Sequence, residues 1–142
     1  MENMTATVTL KEKVLWEGTA DSGHRVLMDG PADAGGGNAG FRPMELMLLG
    51  LGFCMGYDMV MILRRMRKEV TGYRIQLTGK RPAEPPSVYT EVTLEHLITG
   101  KGIPKESVER ALELAEHKYC SASAMFSKTA TLINTYRIEE GP

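Results

Sequence analysis

The chain has 142 residues, of which 42% are hydrophobic and 25% are charged, a composition typical of one soluble globular domain over residues 1–142. Because the formal net charge is −1, we expect no nucleic acid and no membrane surface among its partners. The longest strongly apolar run, Leu46–Tyr57, is shorter than the ~20 residues that a membrane-spanning helix needs. The N-terminus lacks the pattern of a signal peptide, so the sequence favours a cytoplasmic location.

The N-terminal third predicts three strands followed by a loop. Segments Thr5–Leu10, Val14–Trp16 and Arg25–Met28 are rich in alternating or β-branched residues and are separated by turn signals. The stretch Asp29–Gly40 is dense in Gly, Pro and Asp, which predicts a loop. Its glycines match no phosphate-binding pattern, so we interpret it as a flexible connection and not as a nucleotide site.

A long helix is predicted from Pro43, which suits the first helical position, to the basic run that starts at Arg64. Its interior polar residues are few, with Cys54 and Asp58 among them, so we expect it to be buried on most sides. Glycine lowers the stability of a helix, so three glycines in one helix imply close approach of another backbone, a partner helix or a ligand, and we expect close helix packing. The glycines are Gly50, Gly52 and Gly56.

The C-terminal half predicts two strands, a helix and a last strand. Segments Gly72–Thr78 and Val88–Ile98 alternate clearly, and Thr129–Ile138 does so again at the end of the chain. The helix between them starts near Ile103 and extends to Tyr119, and further helical turns are predicted after Cys120. Its apolar stripe comprises Val108, Ala111, Leu112, Ala115 and Tyr119. The fold class is therefore α+β, with the order β-β-β-α-β-β-α-β. Because the N-terminal strands offer too little apolar surface to cover the long helix, we expect a homodimer.

Cys54 and Cys120 are the only cysteines, and the residues alone leave their role open. In a cytoplasmic protein they are either a redox-active dithiol or two small hydrophobic core residues. A catalytic thiol needs a nearby cation or a helix N-terminus. Cys120 precedes a possible helical segment, whereas Asp58 opposes ionisation of Cys54, so a cation must come from elsewhere. Arg25 is the leading candidate, and an exposed strand residue is the alternative.

No metal site and no cofactor are predicted. The three histidines form no ligand signature, and His117 and Cys120 lack a second pair that would complete a zinc site. A serine hydrolase elbow of the form GxSxG is also missing from the sequence.

The segments Arg42–Cys54 and Lys118–Ser123 resemble the two cysteine motifs of the OsmC/Ohr family, named for osmotically inducible protein C and organic hydroperoxide resistance protein. Pro43 lies eleven residues before Cys54, as in the first motif, and Ser123 matches the serine of the family's C-x-x-S. The resemblance covers essentially the whole chain. It implies an OsmC-like α+β fold, an intertwined homodimer and thiol-dependent reduction of organic hydroperoxides.

The resemblance also implies residue roles. Cys54 would attack the peroxide and become a sulfenic acid, and Cys120 would condense with it to a disulfide. Arg25 would hold Cys54 as a thiolate and polarise the peroxide. An external thiol or dithiol would then reduce the disulfide.

The chain departs from the family pattern at two places. Met44 stands where the family has the carboxylate that orients the arginine, so this group is lost, moved to Glu45 or supplied by Asp58. Ser121 follows Cys120, where family peroxidases often have proline. These departures favour a less characterised redox branch. The alternatives are a non-catalytic dimer of the same fold that binds an apolar or lipid-like ligand, and a structural dimer whose cysteines only pack.

Overall fold

The computed structural model describes residues 2–142, and the chain divides into two compact units between Met47 and Leu48. The N-terminal unit is a three-stranded antiparallel sheet in the order β1-β2-β3. Its strands are β1 (Ala6–Glu12), β2 (Leu15–Ala20) and β3 (Arg25–Met28), as the alternating pattern predicts.

The predicted glycine-rich loop follows β3 and is organised by Asp29. This carboxylate accepts backbone N–H groups from Gly30, Gly37 and Ala39 at 2.8, 3.0 and 3.0 Å. The backbone hydrogen bonds with Ala39 and Gly30 outweigh the effect of burial and lower the pKa of Asp29. The loop is therefore tied together by a single carboxylate, a contact that its glycine content alone does not predict.

The long helix α1 (Pro43–Arg65) begins at the predicted proline and ends in the predicted basic run. At its start, Glu45 Oε1 accepts the backbone N–H of Arg42 at 2.8 Å, half of a capping box. Because unsatisfied N–H groups collect at a helix N-terminus, this contact fixes where the helix begins.

The C-terminal unit holds the rest of α1 and a second sheet in the order β4-β5-β6. Strand β4 (Glu69–Lys80) pairs antiparallel with β5 (Glu91–Lys101), which pairs parallel with β6 (Thr131–Glu140). Strand β5 is central and has a buried face. The buried side chains of that face are Val92, Leu94, His96 and Ile98.

A helical crossover joins β5 to β6, as a parallel pair requires. It consists of α2 (Lys105–Leu114), a π-helical segment (Ala115–Tyr119) and α3 (Ser121–Phe126). The predicted apolar stripe ended at Tyr119, and this was wrong, because Tyr119 is 46% exposed whereas Cys120 is buried. The π turn inserts one residue, so the Cys120 N–H bonds to the Ala115 carbonyl at 2.8 Å, and Cys120 takes the inward position. The predicted α+β class and element order are confirmed.

Helix α1 packs on the second sheet through one face. A Cβ added at Gly52 would lie 2.7 Å from Leu77 Cδ1, and one added at Gly56 would lie 3.3 Å from Ile75 Cδ1. The predicted close approach at these two glycines is therefore met by β4, whereas Gly50 faces open space. The buried residues of α1 in this unit are Leu51, Gly52, Met55, Met59, Ile62 and Leu63.

A second face of α1 is apolar and exposed in the single chain, although the pattern predicted burial on most sides. By length and composition this 23-residue helix would also suffice to cross a membrane, unlike its shorter Leu46–Tyr57 run. The core helix of a soluble protein meets the same criterion, and the residues of α1 that are buried, such as Met55 and Met59, are typical of a core helix. The exposed row comprises Leu49, Phe53, Tyr57 and Met61, at 50, 75, 57 and 37% exposure.

Candidate functional site

The two cysteines lie together in the C-terminal unit. Cys54 is half-buried in the middle of α1, and Cys120 is 3% exposed at the start of α3. Both are free thiols, and their sulfur atoms lie within 4.8 Å of each other. Because an S–S bond is about 2.05 Å long, the sulfurs need to approach further before they can bond.

The carboxylate of Asp58 lies beside the two cysteine sulfurs. Asp58 follows Cys54 by four residues on α1, so both side chains leave the same face of the helix. Its carboxylate lies within 4.8 Å of both sulfurs. Burial raises the pKa of Asp58, since the charged form loses hydration. Of the two candidate carboxylates, Asp58 is thus the one beside the thiols within this unit.

Cys120 is held as a thiol by its surroundings. Burial is the main cause that raises its pKa to about 11, and the neighbouring Cys54 raises it further as hydrogen-bond partner and as charge. Ser123 opposes this rise: its backbone N–H donates to Cys120 Sγ at 3.3 Å, and its hydroxyl faces the same sulfur. That hydroxyl is buried and makes no hydrogen bond of regular geometry among the described residues. The two cysteines are therefore unequal in burial, and Cys120 is protonated at neutral pH.

Arg25 and Glu45 lie in the N-terminal unit. The Arg25 side chain is 71% exposed on β3, and its Nη1 atom forms an ion pair with Glu17 Oε1 at 3.2 Å. The carboxylate of Glu45 caps α1 through the backbone N–H of Arg42. The roles of Arg25 in activating Cys54 and of Glu45 in orienting Arg25 stay predictions.

An apolar cavity of about 530 Å³ runs along α1 and β4 in the C-terminal unit. Phe53 and Tyr57, the neighbours of Cys54 and Asp58 in sequence, form one wall, with their rings edge to face at 6.1 Å. Strand β4 supplies the opposite wall. The β4 side chains are Tyr73, Ile75 and Leu77.

A partly buried chain of polar side chains crosses the second sheet and was not predicted. The Tyr73 hydroxyl bonds to His96 Nδ1 at 2.6 Å, and His96 Nε2 bonds to Asn134 Oδ1 at 2.7 Å. Asn134 Nδ2 then donates to Glu116 Oε1 at 2.9 Å. The chain links the cavity wall at Tyr73 to the π-helical segment that precedes Cys120. The only sequence signal was a histidine at an inward position of an alternating strand.

Known proteins resemble the chain over most of its length. The family model described as OsmC-like protein matches residues 35–135. Protein YhfA of Escherichia coli (strain K12) is 33% identical over 135 residues, which cover 95% of this chain and 98% of that protein. A hypothetical protein from Aquifex aeolicus VF5 has a solved structure with 27% identity and a TM-score of 0.88, and the match covers 100% of both chains. An organic hydroperoxide resistance protein from Elizabethkingia anophelis is 16% identical, with a TM-score of 0.72 over 98% of both chains, a likeness that shows the fold alone.

Proposed function

Because the chain belongs to the OsmC-like protein family, as its motifs predicted, we propose that it is a thiol-dependent peroxidase that reduces organic hydroperoxides. The observation that carries the proposal is the pair of free, unequal thiols whose sulfurs lie within 4.8 Å. If Cys54 only packed in the core, it would need neither a second thiol nor a carboxyl group beside it. The proposed substrate class is the one that the resemblance of the two cysteine motifs implies.

The first step is attack by Cys54. Its thiolate bonds to the distal oxygen of the hydroperoxide, the O–O bond breaks, and the sulfur becomes a sulfenic acid while the substrate leaves as an alkoxide. The alkoxide needs one proton to become the alcohol. Asp58 is suited to donate it, because burial raises its pKa and its carboxyl group lies within 4.8 Å of the reacting sulfur.

The second step is resolution by Cys120. Its sulfur attacks the Cys54 sulfenic acid, the S–S bond forms, and one water leaves with the Cys120 proton. With a pKa of about 11, only about one Cys120 thiol in a thousand is ionised at pH 8, so it is poorly suited to attack the peroxide itself. Oxidation of Cys54 removes the negative charge that raises the pKa of Cys120. Resolution thereby becomes easier only after the first step.

The cycle closes with an external thiol or dithiol, which reduces the disulfide and becomes oxidised. Arg25 remains the proposed cation for the first step. The active form is proposed to be a homodimer, because the exposed apolar row of α1 would be covered by a second copy.

Stoichiometric oxidation tests the reaction. One equivalent of an organic hydroperoxide should remove both titratable thiols of the reduced chain, and mass spectrometry should find a Cys54–Cys120 disulfide. The matched variants separate the roles: Cys54→Ser should lose all turnover, whereas Cys120→Ser should accumulate a sulfenic acid that dimedone traps at Cys54. If both thiols stay reduced through excess hydroperoxide, the chain is not a peroxidase.

The dimer has its own test. Phe53→Glu should convert the dimer to a monomer in light scattering, because it places a charge in the exposed apolar row. Met125→Glu is the matched control, since Met125 on α3 is also 75% exposed, as Phe53 is. A monomeric wild-type chain at all concentrations would contradict this part of the proposal.

The cavity along α1 favours one other function, binding of an apolar or lipid-like ligand. Its lining is almost entirely apolar, with Arg64 at one position to meet a carboxylate or phosphate headgroup. Under this alternative, Cys54→Ala leaves the affinity for a fluorescent fatty-acid probe unchanged, and Phe53→Glu abolishes it. Probe binding together with thiols that hydroperoxide does not oxidise would favour the alternative over the peroxidase.

A further inference from the structure

The three groups at the centre of the site have the donor types and the spacing of a metal site. Cys54 and Cys120 offer sulfur, Asp58 offers oxygen, and the three ligand atoms lie within 4.8 Å of one another. In a tetrahedral zinc site, Zn–S bonds of about 2.3 Å and Zn–O bonds of about 2.0–2.2 Å place neighbouring donors roughly 3.5–3.8 Å apart. A contraction on the order of 1 Å therefore brings the three donors to bonding distance.

Ser123 supplies a second observation. Ser123 is 2% exposed, and its hydroxyl makes no regular hydrogen bond among the described residues but lies close enough to Cys120 to lower the pKa of that thiol. The Cys120 sulfur already accepts the Ser123 N–H. The sulfur of a neutral thiol is a weak hydrogen-bond acceptor, whereas a metal-bound thiolate can accept hydrogen bonds from both the N–H and the hydroxyl of Ser123. Outer groups that donate to ligands in this way orient the ligands of metal sites.

We propose that the reduced protein binds one thiophilic divalent cation, such as Zn²⁺, through Cys54, Asp58 and Cys120. The two cysteines bind as thiolates and the aspartate as a carboxylate, and a water or small molecule completes the tetrahedron. Sulfur ligands favour zinc-like cations over Mg²⁺ or Ca²⁺, which prefer oxygen. The donors come from two elements, α1 and the start of α3, so the cation would also link them.

Metal binding and disulfide formation exclude each other, because both use the same two sulfurs. A hydroperoxide would oxidise the two thiolates to the disulfide, take up two protons to leave as alcohol and water, and release the cation. Release of the cation by a hydroperoxide rests on the proposed peroxidase function, whereas the binding of the cation does not.

Titration of the reduced, metal-free full chain tests the site. Zn²⁺ is added in competition with a chromophoric chelator, and Co²⁺ serves as the spectroscopic probe. We expect one equivalent of Zn²⁺ per chain and a thiolate-to-Co²⁺ charge-transfer band with the intense visible bands of a tetrahedral ion. The Co²⁺ spectrum needs no variant, so it stands even where a substitution impairs folding.

The variants identify the ligands. Cys54→Ser and Cys120→Ser should each remove the charge-transfer intensity of one thiolate, and Asp58→Asn should weaken Zn²⁺ binding by at least about 100-fold. Ser123→Ala, which removes only an outer donor, should weaken it about 10-fold. Asp33→Asn is the matched control and should change nothing, since Asp33 is exposed in the other unit.

Two results would overturn the proposal: a Co²⁺ spectrum without thiolate absorption, or Zn²⁺ affinity that survives Cys120→Ser unchanged. Peroxidase turnover is measured separately, in excess chelator. A chain that binds Zn²⁺ but does not turn over therefore contradicts only the proposed function, and one that turns over without binding Zn²⁺ contradicts only the metal site.

Discussion

Mild acid should destabilise this protein through His96, which is 2% exposed at the centre of the second sheet. The hydrogen bonds fix its neutral form. Since Asn134 Nδ2 donates to Glu116, its Oδ1 atom accepts the proton on His96 Nε2, and His96 Nδ1 accepts from the Tyr73 hydroxyl. A second proton would place a charge in a buried site and displace the hydrogen that Tyr73 donates.

The pKa of His96 is lowered from 6.5, chiefly by burial and despite the hydrogen bond with Asn134. Below pH 6.5 the unfolded chain therefore binds a proton at His96 that the folded chain does not, and the free energy of unfolding falls as the pH falls. Above pH 6.5 the stability that neutral His96 contributes to the fold is fully present. The slope is at most about 1.4 kcal/mol per pH unit, so the loss between about pH 7.5 and 5.5 is on the order of 1 kcal/mol.

Urea unfolding at both pH values measures this loss. His96→Gln keeps an acceptor and a donor but does not titrate, so wild type should lose on the order of 1 kcal/mol more than this variant over the interval. The exposed His24 provides the control, because His24→Gln should lose as much as wild type. Equal losses for wild type and His96→Gln would refute the assignment of the acid sensitivity to His96.

Three substitutions on α1 test its packing, each by urea unfolding. Gly50→Ala should raise the free energy of unfolding by up to about 1 kcal/mol, because alanine favours the helix and the added methyl meets none of the described residues within 4 Å. An unchanged free energy of unfolding would contradict the open space at Gly50. Gly52→Ala should be on the order of 1 kcal/mol less stable than Gly50→Ala, since its methyl would lie 2.7 Å from Leu77 Cδ1 and the end of that side chain must shift. Met55→Ala should cost about 2–5 kcal/mol, because Met55 is fully buried, and a cost below 1 kcal/mol would contradict that burial.

The element order was readable from the sequence because each element carries its own local signal. Pro43 and the basic run at Arg64 mark the ends of α1, and alternation marks β4, β5 and β6. The parallel pairing of β5 with β6 has no local signal, since it depends on the crossover between them. The buried chain through His96 was missed for the same reason, because its four residues come from β4, β5, β6 and the π-helical segment.

The exposed face of α1 shows a second limit of prediction from the sequence. Apolar residues on most sides of a helix predict burial, but they do not say which chain provides the cover. In the single chain the row with Met55 and Met59 is buried, and the row with Phe53 and Tyr57 stays exposed. A second copy of the chain is the cover that we propose for this row, and the apolar pattern of α1 predicts a homodimer for the same reason.

The meeting of the two cysteines depends on one inserted residue. A regular helix from α2 would continue the stripe of Val108, Ala111 and Ala115 to Tyr119, as the sequence pattern predicted. The π turn holds one more residue than a regular turn, so Tyr119 is exposed and Cys120 takes the buried position beside Cys54 and Asp58. Helical periodicity could place Asp58 with Cys54, because both lie on α1. It could not place Cys120, since π turns have no reliable sequence signature and occur frequently at functional sites.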